Sequence, residues 1–410
     1  MLKIRNLIDR GAHTALYDVL KAFGSRAPRT TPGYPQNCVM EIEGPQEIVI
    51  HDRVSEFMGR DPVTFHWEAP GVNVYSFDHA LLAGKSGFIY NPEGNRLYDC
   101  SFPIADNKIR RPIKFLSKKF KEEGVRYFHF MGENLYNRAH FILEHAPRLL
   151  LGINNIITEK HKILVINSFP NWYKEYMHFF GINIHNCMET SLGTNEVHNL
   201  DYIPNPCGKK INYSINTYQA MCKHLNKCRT EMTNNTESYT NVIWISRSDS
   251  PRRSMTNENE LINIWSEIFG PPRVITLSNM PIEHQLKEIS TATCIIAQMG
   301  QSLNLLPFIT SKIVIMIDQM ELDSAPGWND AFFTMSEFSK NFMIRLFSDK
   351  SENFGDWSYP SDKFRAELER LKSLSEKDKF LSIVPENCIE PLRKCFRVQT
   401  ARPPRGATSK

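Results

Sequence analysis

From position 241 onward, short and almost wholly apolar runs alternate with longer amphipathic ones. NVIWISR, RVITLS, CIIAQM and KIVIMID have the length of buried strands, whereas NENELINIWSEIF, PIEHQLKEIS and QSLNLLPFI read as helices. Strands alternating with such helices predict an α/β fold with a parallel sheet and right-handed crossovers. Ligands of such sheets bind beyond the carboxyl ends of the strands. Here those ends are Ser246 and Arg247, Ser278 and Asn279, Gln298 to Ser302, and Asp318 and Gln319. An earlier β–α unit starts at Lys162, where KILVINS is followed by NWYKEYMHFFGI, a helix closed by Gly181. Before Phe128, EIVIHD, VNVYSFDHALLAGKSGFIYN and NRLYDC predict strands whose sheet order is not readable.

This pattern divides the chain into an N-terminal domain (1–205), a connection (206–240) and a C-terminal domain (241–345). The connection is bracketed by NPCGKK and TNNTESYT. A charged helical segment (346–400) containing DKFRAELERLKSLSEKDKFLSIV and a loose tail (401–410) follow.

One helix departs from the usual surface pattern. NRAHFILEHAPRLL, Asn137 to Leu150, puts Asn137, His140, Glu144 and Arg148 within an arc of about 80°, with Ile142, Leu143, Ala146, Leu149 and Leu150 opposite. A solvated face would account for a Glu–Arg pair at i and i+4, but Asn and His add little to solubility or helix propensity. Pro147, which lacks an N–H and crowds the preceding turn, predicts a kink or a stop.

Composition narrows the class. The 410 residues, 41% hydrophobic and 23% charged, are those of an ordinary globular protein with room for two cores. A net charge of +4 gives no case for nucleic-acid binding. The nine cysteines are scattered and never form C-x-x-C, which supports neither a disulfide framework nor a zinc site. No signal-peptide-like apolar core occurs at the start, so a cytoplasmic protein is expected. Leu2, Ile4, Leu7 and Ile8 pattern a short basic amphipathic helix that would pack on the protein or rest peripherally on the inner face of a membrane.

Two loops have the residues for anion binding. Arg247, Arg252 and Arg253 lie between a strand end and a helix whose first turn holds Asn257 and Glu258; guanidinium groups match phosphate oxygens two at a time. A solvated basic loop is the alternative. In CIIAQMGQSLNLLPF, Gly300 ends a buried strand, and Gln301 and Ser302 open a helix with free N–H groups. Neither G-x-G-x-x-G nor G-x-x-x-x-G-K-[ST] is present, which weighs against a dinucleotide oxidoreductase or a P-loop NTPase. No D-x-D offers the carboxylate clamp for a metal–nucleotide complex, and H-E-x-x-H and G-x-S-x-G are missing.

Taken in order, these segments resemble glycosyltransferase family 61 over roughly Phe128 to Ile317. Asn137, His140, Phe141, Glu144, Pro147 and Arg148 stand at the first motif, and Ser246, Arg247, Arg252, Arg253, Asn257 and Glu258 at the second. Gln285, Ala292, Gly300 and Leu303 fit the third. The family's third loop usually reads P-H-G-A-G, and here Gln298, Met299, Gly300, Gln301 and Ser302 replace it.

The resemblance implies a GT-B architecture of two Rossmann-like domains facing each other across a cleft. It also implies metal-independent, cofactor-free transfer of a sugar from a nucleotide-sugar to a glycan or other hydroxyl acceptor, as in capsule or other surface-polysaccharide assembly. His140 and Glu144 would share the roles of base and orienting group. Asn137, Arg148, Arg247, Arg252, Arg253, Asn257, Glu258, Gln285, Gly300, Gln301 and Ser302 would bind substrates. The alternative is an inactive relative that binds carbohydrate or nucleotide.

Overall fold

The structure is a computed structural model. It describes residues 38–69, 71–83, 87–94, 118–132, 135, 137–165, 169–191, 193–206, 216, 217, 219–221, 223, 242–249, 254–319, 328–348 and 356–397. The amphipathic start, NRLYDC, most of the expected connection, Arg252, Arg253 and the tail lie outside the described residues. The chain divides into two compact units, one running to Glu47 and from Glu68 to Ala220, the other comprising Ile48–Trp67 and the chain from Met221 onward.

In chain order, β1 (Cys38–Glu43) precedes β2 (Gln46–Asp52), helix α1 (Arg53–Phe57) and β3 (Val63–Ala69). Next come β4 (Val72–Ala83), β5 (Phe88–Tyr90), β6 (Lys118–Phe120) and β7 (Arg126–His129). Helix α2 (Arg138–His140) leads through a π-helical turn (Phe141–His145) into α3 (Ala146–Asn155). Then β8 (His161–Val165), α4 (Asn171–Phe179), β9 (Cys187–Glu189) and β10 (Thr194–Tyr202) follow.

The first unit's mixed sheet runs β1-β4-β10-β7-β8-β9, with β5 on β4 and β6 on β10. β4 pairs antiparallel with β1, β5 and β10, while β10–β7, β7–β8 and β8–β9 are parallel. A buried carboxylate ties four of these strands. Asp201 on β10 accepts from Arg126 of β7 at 2.5 and 2.6 Å, from His161 of β8 at 3.0 Å and from Ser76 of β4. Burial pushes this carboxyl up, but the donors from His161, Arg126 and Ser76 outweigh it and hold the group at about 2.

The second unit contains β11 (Val242–Ile245), α5 (Glu258–Phe269), β12 (Arg273–Ile275), α6 (Ile282–Ser290), β13 (Cys294–Gln298), a 3₁₀ helix (Gln301–Phe308) and β14 (Ile313–Asp318). After these come α7 (Trp328–Phe338), β15 (Phe342–Phe347), α8 (Ser361–Leu374), α9 (Asp378–Leu381) and α10 (Glu386–Phe396). Its all-parallel sheet has the order β12-β11-β13-β14-β15. Counted within the unit this is 2-1-3-4-5, the flavodoxin-like order, in which strand direction of travel reverses between β11 and β13. Every residue of β11, β13 and β14 is buried, as a sheet covered on both faces requires. Helix α5 buries Leu261, Ile264, Trp265 and Phe269 at helical spacing. The charged helix α8 turns Phe364, Leu368 and Leu371 into the same core as Trp244, Ile296 and Ile315.

Three local expectations change. QSLNLLPFI is a 3₁₀ helix, consistent with Pro307 having no N–H for an α-helical bond. Pro147 neither stops nor sharply ends its helix. Ala146 N–H bonds Phe141 O in the π turn just before it, and Pro147 falls in the first turn of α3, where a missing N–H is tolerated. The segment Ile48–Trp67, expected in the N-terminal domain, belongs to the second unit. There Asp52 caps α1 through Val54 and Ser55 N–H, and its Oδ2 accepts from Arg345 of β15 at 2.7 and 3.1 Å. Among the described residues, no helix is long and apolar enough to cross a membrane.

Candidate active site

The polar stripe of the first unit runs from solvent into the interior. Asn137 is exposed and His140 half-buried, whereas Glu144 and Arg148 are 2% and 3% exposed. The π turn spaces His140 and Glu144 so that Nδ1 meets Oε1 at 2.5 Å. A Nδ1–H that donates to a carboxylate leaves Nε2 as the ring's acceptor, the tautomer a general base needs. Glu144 Oε2 lies 3.9 Å from His145 Nε2, and His145 Nδ1 lies 3.5 Å from Arg148 Nη1.

Arg148 was expected on an open stripe. Instead it lies in the unit's interior and donates to the carbonyls of Ile203 (2.9 Å), Met131 (3.0 Å) and His129 (3.0 Å). A guanidinium has five donors in a fixed fork, and burying it requires carbonyls to receive them. Its Nη2 also lies 3.2 Å from His129 Nδ1, while His129 Nε2 donates to Gly87 O at 2.7 Å. Burial, and secondarily the Arg148 charge, push His129 down to about 3, so its ring is neutral. A chain of side chains thus leads from His129 at the carboxyl end of β7 through Arg148, His145 and Glu144 to His140.

In the second unit the carboxyl ends of β11 and β13 meet at the reversal of strand order. Arg247 Nη1 donates to Met299 O at 2.7 Å. Gly300 gives this contact its room, because a Cβ at residue 300 would lie 2.2 Å from Nη1. Glu258, at the first position of α5, braces both strand ends. It accepts from Trp244 Nε1 (3.0 Å), Ser246 Oγ (2.5 Å) and Gln298 Nε2 (3.1 Å), and the helix N-terminus favours its charge. A pocket of about 350 Å³ opens beside Arg247, lined among others by Ser246, Thr256, Glu258, Ile262 and Ile275. That volume lies at the lower end of the range for small-molecule sites.

The other expected binding residues serve the scaffold. Asn257 bonds the backbone of Tyr359 in both directions, at 2.8 and 3.1 Å, and Gln285 donates to Met280 O at 2.7 Å. Gln301 and Ser302 open the 3₁₀ helix, and their side chains lie outside the description. His129 and His145 are participants that the sequence does not single out, and Gln298, legible as a strand end, serves Glu258. His129 ends a parallel strand, and that position is itself a signal of a ligand-facing residue.

The fold places the chain among α/β proteins with a parallel sheet of flavodoxin-like strand order. The family model of Glycosyltransferase 61 matches residues 138–316, a span that takes in the His140–Glu144 pair, Arg247 and Gly300. The chain therefore carries a family 61 domain and is a glycosyltransferase. No curated protein matches the sequence. Among solved structures, a diflavin flavoprotein A3 from Nostoc sp. aligns with 33% of this chain and 90% of its own at 9% identity. Its TM-score of 0.22 makes the likeness too slight to bear on fold or function.

Proposed function

We propose that this glycosyltransferase moves a sugar from a nucleotide-sugar to the hydroxyl of a glycan or other acceptor, in the assembly of a surface polysaccharide or related glycan. The two units are read as the halves of a GT-B enzyme, the second holding the donor and the first the acceptor. His140 Nε2 takes the acceptor's proton while Glu144, on Nδ1, orients the ring. The acceptor oxygen displaces the diphosphate at the anomeric carbon, and the bond to the phosphate oxygen breaks. Arg247, with Arg252, Arg253 and the N–H groups at Gln301 and Ser302, balances the charge that grows on the leaving group. A metal ion is not needed for that step in this reading.

The observation that carries the reading is the contact of Arg247 with the Met299–Gly300 turn at the sheet's reversal. The test is a thermal-shift screen of the full chain against nucleotide-sugars and free nucleotides, with and without divalent metal. A ligand at 100 times its Kd stabilises by about 2.7 kcal/mol. Metal-independent stabilisation by one nucleotide, absent in Arg247→Ala, supports the assignment and names the donor class. Silence across the panel removes the donor site from the second unit. The acceptor side is tested by activity: His140→Ala is expected to lower kcat by roughly 10²- to 10⁴-fold. Full activity in both His140→Ala and Glu144→Ala would end that assignment.

A further inference from the structure

We propose that His79, Glu196 and His198 of the first unit bind a first-row divalent metal ion of the zinc type. His79 on β4 and His198 on β10 are directly opposed in the antiparallel register, and opposed residues project from the same face of a sheet. Glu196 precedes His198 by two positions on β10 and therefore shares that face. The three side chains converge: His79 Nε2 and His198 Nε2 each lie 3.4 Å from the same oxygen, Glu196 Oε1. Ligand atoms at about 2.0 to 2.1 Å from a tetrahedral zinc are about 3.4 Å apart, the edge of the tetrahedron. All three ligand atoms lie within 4.8 Å of one another.

Hydrogen bonding accounts for one of these contacts, His198 Nε2 to Glu196 Oε1 at 3.4 Å. Nε2 of His79 is buried and makes no hydrogen bond among the described residues, and the two rings are stacked at 4.6 Å and 9°. Neutral rings carrying Nε2–H could donate to Oε1, and of the two only His198 makes such a bond; a cation bound among the three would engage both Nε2 lone pairs and the carboxylate oxygen at once. Two His and one carboxylate suit zinc and its neighbours and leave a fourth position for water or another ligand. Lys119 Nζ holds the other carboxylate oxygen, Oε2, at 3.0 Å. It thus orients Glu196 as an outer-shell partner and leaves Oε1 to the ion.

The site lies outside the pair and loops assigned to sugar transfer, and its test does not use activity. Full-length protein stripped with chelator and kept reduced would be titrated with Zn²⁺ calorimetrically and with Co²⁺ by visible absorption. The expected result is one equivalent bound, with Co²⁺ bands of a nitrogen and oxygen site and no thiolate charge-transfer band. His79→Ala and His198→Ala, each checked by circular dichroism, should weaken binding by more than about tenfold. Glu196→Gln, which keeps the side chain's size, should do the same. No uptake by the wild-type chain overturns the proposal. Uptake unchanged in the His variants, or carrying a thiolate band, assigns the metal to other residues and also overturns it.

Discussion

Arg247 and Gly300 depend on each other. A Cβ at residue 300 would sit 2.2 Å from Arg247 Nη1 and 3.0 Å from its Cζ, and the backbone there, at φ +156°, is one that side chains adopt reluctantly. The group in the way is the end of a flexible side chain, so Gly300→Ala is expected to push the guanidinium off Met299 O, while the backbone strain lowers stability by about 1 to 3 kcal/mol. A hydrogen bond of a charged group is worth about 1.5 to 3 kcal/mol, so nucleotide binding should fall by about tenfold or more. A binding titration paired with a melting curve checks this, and unchanged affinity would mean that Arg247 does not hold the donor. The glycine was legible in the sequence as a place where something comes close. What comes close was not, because the contact spans 52 positions. His129 offers a second test. Its imidazole is held at about 3 when folded, first by burial and then by Arg148, and returns toward 6.5 when unfolded. The unfolded chain therefore binds a proton that the folded chain does not, and stability present above about pH 6.5 is lost as pH falls toward 3. Urea midpoints of the wild-type chain should drop across that window, and His129→Gln should flatten the slope while lowering the midpoint at pH 7. An equal slope in both proteins would assign the acid sensitivity elsewhere.

At the scale of elements, legibility followed the continuity of the apolar pattern. β11, β13 and β14 read as buried strands because no charge interrupts them. Helix α7 and strand β15 went unread. β15 is FMIRLF, and its Arg345 looks like a surface residue until Asp52, 293 positions away, is seen to accept from it. Phe65, Phe333 and Phe347 surround that guanidinium at 5.3, 5.3 and 5.0 Å. The π turn was equally hidden, since the sequence announces only that Pro147 disturbs a helix and not how the backbone absorbs it. The Asp52–Arg345 pair allows a quantitative expectation. Asp52→Ala removes a helix cap worth about 1 kcal/mol and strands a buried cation, a change that costs about 3 to 5 kcal/mol in comparable pairs. The second unit should therefore lose about 4 kcal/mol in chemical denaturation, and Arg345→Met added to Asp52→Ala should recover a good part of it. A loss below about 1 kcal/mol would show that the pair does not fasten the segment to β15.

For the whole molecule, the parallel sheet of the second unit was readable and its chain composition was not. Nothing in EIVIHD or the residues after it marks Ile48–Trp67 as part of a unit otherwise built from the chain beyond Met221. The first unit resisted reading for another reason. β6 and β9 are three residues long, and β4 and β10 mix buried with half-buried positions, so neither a two-residue period nor a continuous run stands out. The divided second unit has a consequence for any attempt to isolate it. Residues 221–410 alone would lack Val54 and Met58, which pack in the main core, together with Asp52 and Phe65 around Arg345. A buried arginine without its carboxylate and an uncovered apolar core together exceed a large share of the stability of an ordinary domain. The fragment 221–410 is therefore expected to melt without a cooperative transition and to bind a hydrophobic dye. The same fragment with residues 48–67 joined through a flexible linker should melt cooperatively. Cooperative melting of both fragments at the same temperature would show that the inserted segment contributes nothing to that core, and would return it to the N-terminal division that the sequence suggests.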